Sequence, residues 1–269
     1  MRPKPKQFAT QYASIFGDAS VVSAYRYRPP YPAETFAILL RLLDADVEPR
    51  TVLDAGCGPG VIARQLVPAV DRVDAVDIAA RMIAAGQALP GGDDPKLRWI
   101  QGAIEDVPLY PPYALIVAAA SLHWMHWETV LPRFHDVLTP GGYLAVVEVV
   151  TEPPPWWKQA LGFISAYSMN TDFQPYDIIT VTQALAVRGL FEPHGITTTA
   201  PVPFRQSVAE YVESFHARNG LSRDRMDTQA AQDFDGKLWA LLHRYCPGGV
   251  VALQLSGRVV WGKPRSQAD

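Results

Sequence analysis

Asp54, Gly56, Gly58 and Gly60 stand at every second position, directly behind the run Thr51-Val52-Leu53. A short apolar and β-branched run, a glycine-rich turn and a helix-like pattern after it read as strand–loop–helix. That places Asp54 at the carboxyl end of a strand, where open α/β sheets bind ligands. The glycines let a backbone turn sharply and let a ligand approach it without meeting a Cβ. The helix behind them starts with unpaired N–H groups. A dinucleotide fingerprint, G-x-G-x-x-G, would need its third glycine at position 61, which is Val61. A carboxylate at Asp54 would also repel a pyrophosphate, so a cationic ligand is the better match.

Other residues extend this chemistry. Asp77 closes the next strand-like run, roughly 20 residues after Gly56, where an acidic group accepts bonds from ribose hydroxyls. A helix N-cap role suits Asp77 equally and can hold at the same time. Arg28, in Tyr25-Arg26-Tyr27-Arg28-Pro29-Pro30-Tyr31-Pro32, offers a planar fork to a carboxylate. His123 is the candidate general base because histidine titrates nearest to pH 7; packing beside the ligand is its plainer role. His123 and His126 lack the glutamate and third ligand of H-E-x-x-H, so no metal is expected. Arg218 is a second candidate for a carboxylate, although Ser214–Asn219 reads first as a solvated helix face.

Several segments carry a resemblance. Thr51–Gly60 resembles motif I (D-x-G-x-G-x-G) of the class I S-adenosylmethionine-dependent methyltransferases. Asp77-Ile78 with Met82 resembles that family's D-x-S-x-x-M, and Gly102-Ala103-Ile104-Glu105-Asp106-Val107-Pro108 its G-D-A-E-D-L-P. Ser121-Leu122-His123-Trp124 resembles the segment after strand 4, and Leu138-Thr139-Pro140-Gly141-Gly142 the turn into strand 5. The segment Tyr25–Pro32 resembles a lid of the trans-aconitate methyltransferase group. The resemblance covers roughly residues 25–150. It departs from the pattern at Ala103, where the family carries the acidic residue that bonds the adenine amino group; the backbone at Ala103 and Ile104, or the side chains of Glu105 or Asp106, would have to serve instead.

The resemblance implies an α/β, Rossmann-like, seven-stranded and mostly parallel sheet of order 3-2-1-4-5-7-6, with helices on both faces and an inserted helical lid. It implies S-adenosyl-L-methionine as cofactor, with S-adenosyl-L-homocysteine as product and no metal. The cofactor would be bound by Tyr25, Arg28, Asp54, Gly56, Cys57, Gly58, Asp77, Ile78, Met82, Ala103, Ile104, Ala120 and Ser121. The acceptor, a small molecule, would meet Trp124, Trp157 and Arg218. The methyl group would pass in line to an oxygen, such as a carboxylate, or to a nitrogen. The alternatives are a nicotinamide-dependent oxidoreductase and a descendant that keeps the fold without the reaction.

The elements must position these groups. Residues 1–31 read as an N-terminal tail and lid, 32–150 as the cofactor-binding core, 151–195 as a helical insert over the site, and 196–269 as strands and helices completing one domain. Helices are expected over Pro32 to about Ala45, Pro59 to Pro68, Trp127–Val137, Ser207–Asn219 and Thr228–Tyr245. Strands are expected at Thr51–Ala55, Arg72–Ile78, Leu97–Gln101, Tyr113–Ala120, Tyr143–Val150 and Thr197–Phe204. Val250–Leu255 and Arg258–Trp261 read as a hairpin turning at Ser256-Gly257.

With 269 residues, 48% hydrophobic and 19% charged, the chain can bury a large core. A net charge of −3 argues against nucleic acid held on a basic surface. Arg2, Lys4 and Lys6 form one small basic tail, read as loose. No apolar h-region opens the sequence and no apolar run approaches the roughly 18 residues of a membrane span. With two cysteines, Cys57 and Cys246, and no disulfide expected, the setting reads as cytoplasmic. A monomer or a homodimer is expected, with no membrane or nucleic-acid partner.

Overall fold

The computed structural model describes residues 4–43 and 48–266. The parallel core is β1 (Thr51–Ala55), β2 (Arg72–Asp77), β3 (Leu97–Gln101), β4 (Tyr113–Ala119) and β5 (Leu138–Thr151). Three later strands complete an eight-stranded sheet: β6 (Phe191–Thr198), β7 (Val202–Ser207) and β8 (Val250–Pro264). The order is β3-β2-β1-β4-β5-β8-β6, with β7 also paired to β8. The expected order holds with β8 in the place of strand 7.

The helices are α1 (Thr10–Ala13), α2 (Ala19–Ala24), α3 (Ala33–Arg41), α4 (Val61–Leu66), α5 (Ala80–Gln87), α6 (Trp127–Val137), α7 (Trp157–Tyr167), α8 (Ile178–Val187), α9 (Val208–His216) and α10 (Thr228–Tyr245). The expected end of α3 near Ala45 lies outside the described residues, as does Arg2.

Strand β4 shows why the centre of the sheet forms. It is apolar throughout and buried along all but its last residue, as befits a strand covered on both faces. Its side chains alternate: Ile116 and Ala118 enter one core with Leu53, Trp127 and Phe134, while Leu115 and Val117 enter the other with Ile62, Leu66 and Leu39. A third core sits apart from the parallel sheet. It joins Trp156 and Ile164 to Phe215, Phe234, Leu238 and Leu242, closed by Leu253 and Leu255 of β8. This cap is built from α7, α9 and α10.

Three sequence expectations change here. Val250–Pro264 is one continuous strand, not a hairpin: its far half runs between β5 and β6, and its near half pairs with β7. The stretch Thr197–Phe204 straddles the end of β6 and the start of β7, so the insert ends before Phe191. The L-T-P-G-G segment lies within β5, where the pairing with β4 shifts register between Tyr113 and Leu115.

The N-terminal segment is bound on both sides from Lys4 onward. The Lys4 amine donates to the Met125 carbonyl at 2.9 Å. The Gln7 side chain accepts from the Gln174 amide at 2.7 Å, and the Gln7 carbonyl accepts from Asn170. Asp18 receives two bonds from the Arg225 guanidinium, and Arg81 of α5 donates to the Gly17 carbonyl. A loose tail is therefore replaced by a strap between core and cap.

Candidate active site

Asp54 lies one residue from the end of β1, in register with Ala75 of β2 and Val117 of β4. Its side chain is only 1% exposed. One carboxylate oxygen, Oδ2, accepts the Ala63 N–H at 3.1 Å. The other, Oδ1, is buried with no partner, and Asp54 lines a cavity of about 1110 Å³. Burial pushes its pKa up to about 7. Single-ligand pockets span roughly 300–1,000 Å³, so this cavity has room for two reactants.

The loop behind Asp54 turns through three glycines with φ of +72°, +54° and +69°. A Cβ at Gly56 would stand 2.5 Å from the Ser121 Cβ, and one at Gly60 would stand 2.4 Å from the Trp99 ring. Those two glycines are demanded by packing. Only Gly58 leaves room above it, where the nearest atom is the Tyr25 hydroxyl at 3.6 Å. The loop amides are committed within the protein: Gly56 and Cys57 donate to the Val76 carbonyl, Gly60 to the Cys57 carbonyl, and Gly58 to Asp77 Oδ2 at 2.8 Å. A ligand meets Asp54 and the surface of this turn, not a row of free N–H groups.

Asp77 also accepts the Ala79 N–H through Oδ1 at 2.8 Å. Helix α5 starts at Ala80 with Ala79 as its cap residue, so Asp77 braces the glycine loop and is not the N-cap. Each of its oxygens retains an unused lone pair. Beside it Ile78 is 63% exposed, an apolar surface open to a flat ring.

Of the residues expected at a cofactor, Tyr25, Arg28, Asp54, Gly56, Cys57 and Ala120 line the cavity. Ala120 is the one non-glycine residue with positive φ among those described, at +52°; such strain persists where its surroundings enforce it. Gly58, Asp77 and Ile78 lie off the cavity wall. Met82 and Ile104 are core residues: Met82 packs with Ile15 and Val21 under the N-terminal strap, and Ile104 joins the core that holds Trp127. Ser121 donates to the Ala55 carbonyl at 2.6 Å and ties the ends of β4 and β1 together. The Ala103 carbonyl accepts from Asp106 and Val107. Glu105 accepts the His126 N–H at 2.8 Å, and its carbonyl accepts from Arg133; its side chain is a loop brace.

His123, Trp124, Trp157 and Arg218 also line the cavity. His123 is buried, and its Nε2 is 2.8 Å from the Tyr176 hydroxyl. Phe8 packs against both rings, with centroids 5.0 Å from His123 and 4.7 Å from Tyr176. Burial lowers the His123 pKa to about 3, with the charges of Lys4 and Arg28 acting the same way. The ring thus stands in an aromatic cluster with Nε2 facing the Tyr176 hydroxyl, and its lowered basicity makes it a weak proton acceptor.

Arg28 sits over the Tyr25 ring at 4.9 Å. Burial opposes its charge, but the oxygens of Tyr25, Tyr31 and Tyr176 outweigh it and hold its pKa above the ordinary value. Arg218 departs from the solvated-face reading. Helix α9 stops at His216, and the Arg218 guanidinium lies over the rings of Phe215 at 4.3 Å and Trp157 at 5.8 Å.

Phe8 and Tyr31, from the N-terminal segment with the expected lid, also line the cavity, while Tyr176 and the pair Glu148–Arg258 join it without any sign in the sequence pattern. Glu148 near the end of β5 accepts from Arg258 at 2.8 Å and from the first amide of α8, Ile178 N–H, at 3.2 Å. Tyr176 stands just before the N-cap Asp177. Among the described residues no group of three His, Cys, Asp or Glu could hold a metal, and Cys57 and Cys246 are buried free thiols.

Comparison with known proteins gives three findings. Residues 52–142 match the family model for a methyltransferase domain. An uncharacterized methyltransferase of Mycobacterium tuberculosis is 38% identical over 114 residues, 41% of this chain and 57% of its own length. A malonyl-[acyl-carrier protein] O-methyltransferase of Halalkalibacterium halodurans is 32% identical over 108 residues, 38% of this chain and 40% of that protein. The chain thus spans about half the length of the curated relatives it matches. In fold, it is similar to a candidate type II methyltransferase of Anaeromyxobacter dehalogenans, with a TM-score of 0.64 at 19% identity over 88% of this chain and 99% of that one.

Proposed function

We propose, from the premise that residues 52–142 belong to the methyltransferase-domain family, that the chain transfers a methyl group from S-adenosylmethionine to an oxygen of a small molecule, foremost a carboxylate. The observation that carries this reading is the second oxygen of Asp54, buried, without a partner and at the wall of the large cavity. A carboxyl oxygen left so costs stability in isolation and suits an arriving ammonium, which would favour its ionised form. Asp54 would hold the cofactor's amino group and Arg28 its carboxylate. Asp77 and Ile78 would take the ribose and adenine on the open side of the glycine loop. The bound cofactor supplies a methyl carbon activated by its sulfonium.

The chain's own work is positioning and exclusion of water. Fixing two reactants in line supplies about 7–11 kcal/mol of barrier reduction. Phe8 of the strap, Trp124 of the turn after β4 and Tyr176 of the α7–α8 segment would close the cavity together. A carboxylate nucleophile is already ionised at neutral pH. Attack by its oxygen on the methyl carbon would release the carbon–sulfur bonding pair to the sulfur of the leaving S-adenosylhomocysteine, so the chain would need to take up no proton. That suits a site whose histidine is buried beside a tyrosine and is a weak proton acceptor. A protonated amine would need a base, and His123 with its lowered pKa would serve poorly. The nicotinamide alternative lacks its third glycine at Val61, which instead opens α4.

Calorimetry with S-adenosylhomocysteine tests the reading. Wild type is expected to bind it, and Asp54→Asn is expected to lose about 1.5–3 kcal/mol, ten- to a hundredfold in affinity. No heat from wild type at millimolar ligand would overturn it.

A further inference from the structure

The cap wall of the cavity carries a cation with no carboxylate in ion-pair reach among the described residues. Arg218 reaches in from the segment that follows α9, and its guanidinium rests on Trp157 and Phe215. Aromatic faces steady a cation without neutralising it. Its near neighbours in sequence are treated differently. Arg223 forms ion pairs with Glu213 and Asp235, at 2.6 and 2.8 Å, and Arg225 pairs with Asp18 at 2.7 Å. Arg258, also on the cavity, is matched by Glu148. For Arg218 no carboxylate lies within ion-pair distance among the described residues. Burial presses against its positive charge and outweighs the support of the Tyr211 oxygen, with the charge of Arg28 adding to the burial effect. Arg28 itself faces phenols, so two guanidinium groups meet this one cavity with no carboxylate bound to either. An uncompensated charge in such a place is costly, and a ligand anion removes that cost.

A second observation stands beside the first. The next residue, Asn219, also lines the cavity, and its Oδ1 is buried with no hydrogen-bond partner. Apolar side chains of the cap and of β8, Trp157, Leu161, Ile164, Phe173 and Leu253, line the same cavity.

We infer that the methyl acceptor is a small organic anion with an apolar body, its anionic group held by Arg218 and a hydrogen-bond donor next to that group given to Asn219. Arg218 is thereby the specificity-determining residue of the acceptor side, while Arg28 stays with the cofactor. The inference rests on the methyltransferase reading for its context, but its test separates the two.

Mandelate serves as the probe: a carboxylate with an adjacent hydroxyl on a phenyl body. Mandelamide is its uncharged isostere, and phenylacetate lacks the hydroxyl. Each is titrated calorimetrically into the protein loaded with S-adenosylhomocysteine. Mandelate is expected to bind at least tenfold tighter than mandelamide and several-fold tighter than phenylacetate. Arg218→Met is expected to erase the preference for the carboxylate, and Arg218→Lys to keep part of it. Affinity for S-adenosylhomocysteine should stay within twofold in both variants, which also shows that they fold. Equal binding of mandelate and mandelamide, no binding of either, or an unchanged preference in Arg218→Met would overturn the inference. If wild type fails to bind S-adenosylhomocysteine, the proposed function falls, and the same titrations on the protein without it judge Arg218 alone.

Discussion

On the β1 side of the cavity the polar contacts run through the main chain. Gly56, Cys57, Gly58 and Gly60 commit their amides to Val76, Asp77 and each other, and Asp54 keeps a buried oxygen without a partner. On the cap side the contacts run through side chains from distant segments: Phe8 on His123 and Tyr176, Arg218 on Trp157 and Phe215. A main-chain cradle fixes the shape of whatever binds it and tolerates little change in the residues that build it. A side-chain wall can be rewritten one residue at a time without moving the sheet. The first arrangement suits a ligand shared by many proteins and the second a ligand peculiar to one.

The difference can be broken at the loop first. Gly56→Ala puts a Cβ against Ser121 and forces a left-handed alanine, costs of about 1–3 and 1–2 kcal/mol. The urea midpoint should fall sharply, whereas Gly58→Ala, with only the backbone term and the Tyr25 hydroxyl 3.6 Å away, should fall less. Equal losses would mean that the two glycines are held for the same reason, against the packing seen here.

The pH response sharpens the same contrast. Burial raises Asp54 from 3.8 to about 7. Without ligand the folded state therefore keeps a proton that the unfolded chain gives up above pH 4, and this group's contribution to stability declines as pH rises from 4 to 7. An ammonium ligand favours the carboxylate. Affinity for S-adenosylhomocysteine should then rise by up to about tenfold per unit from pH 5 to 7 and level off above, with proton uptake by the buffer visible in calorimetry at pH 6. His123, lowered to about 3, should add no limb near 6.5 to the kcat profile. A limb there would restore it as a base.

The smallest effect is expected on the cap side. Tyr176→Phe removes the partner of a buried imidazole, about 1–3 kcal/mol of stability. It should change kcat far less than the 10²–10⁴ of an acid–base group. A hundredfold fall in kcat would show that the tyrosine–histidine pair takes part in proton transfer.

The two regions also differ in how far they could be read from the residues. The bounds of β1, β3 and α6 follow from local pattern, because each packs through its own apolar period. Asp54 and its glycines carry their meaning in their spacing. Gly257 misled the same kind of reading. It looks like a turn in a hairpin, yet a Cβ there would stand 1.8 Å from the Thr35 hydroxyl; the glycine lets α3 approach a strand that runs straight on. Met82 matched a motif, but the strap residues Ile15 and Val21 bury it. Arg218 followed a helical pattern, yet α9 ends before it. His216 helps hold that end, with Nδ1 on the Leu221 carbonyl at 2.7 Å and Nε2 on Asp235 at 2.6 Å. Contacts of that range leave no trace in a window of neighbouring residues, so the glycine loop was legible from its spacing while the surroundings of Arg218 and Met82 were not.

Strand β8 imposes an order of events on synthesis. Glu148 of β5 waits for Arg258, 110 residues further on, and until then the outer edge of β5 has no neighbour. The helices of the cap leave the ribosome during that interval. An exposed apolar edge held open this long is a place for wrong pairing, and closing it late lengthens the slowest contacts in the chain. The segment that finishes the sheet is thus also the one that ends the period in which a growing chain is most open to aggregation.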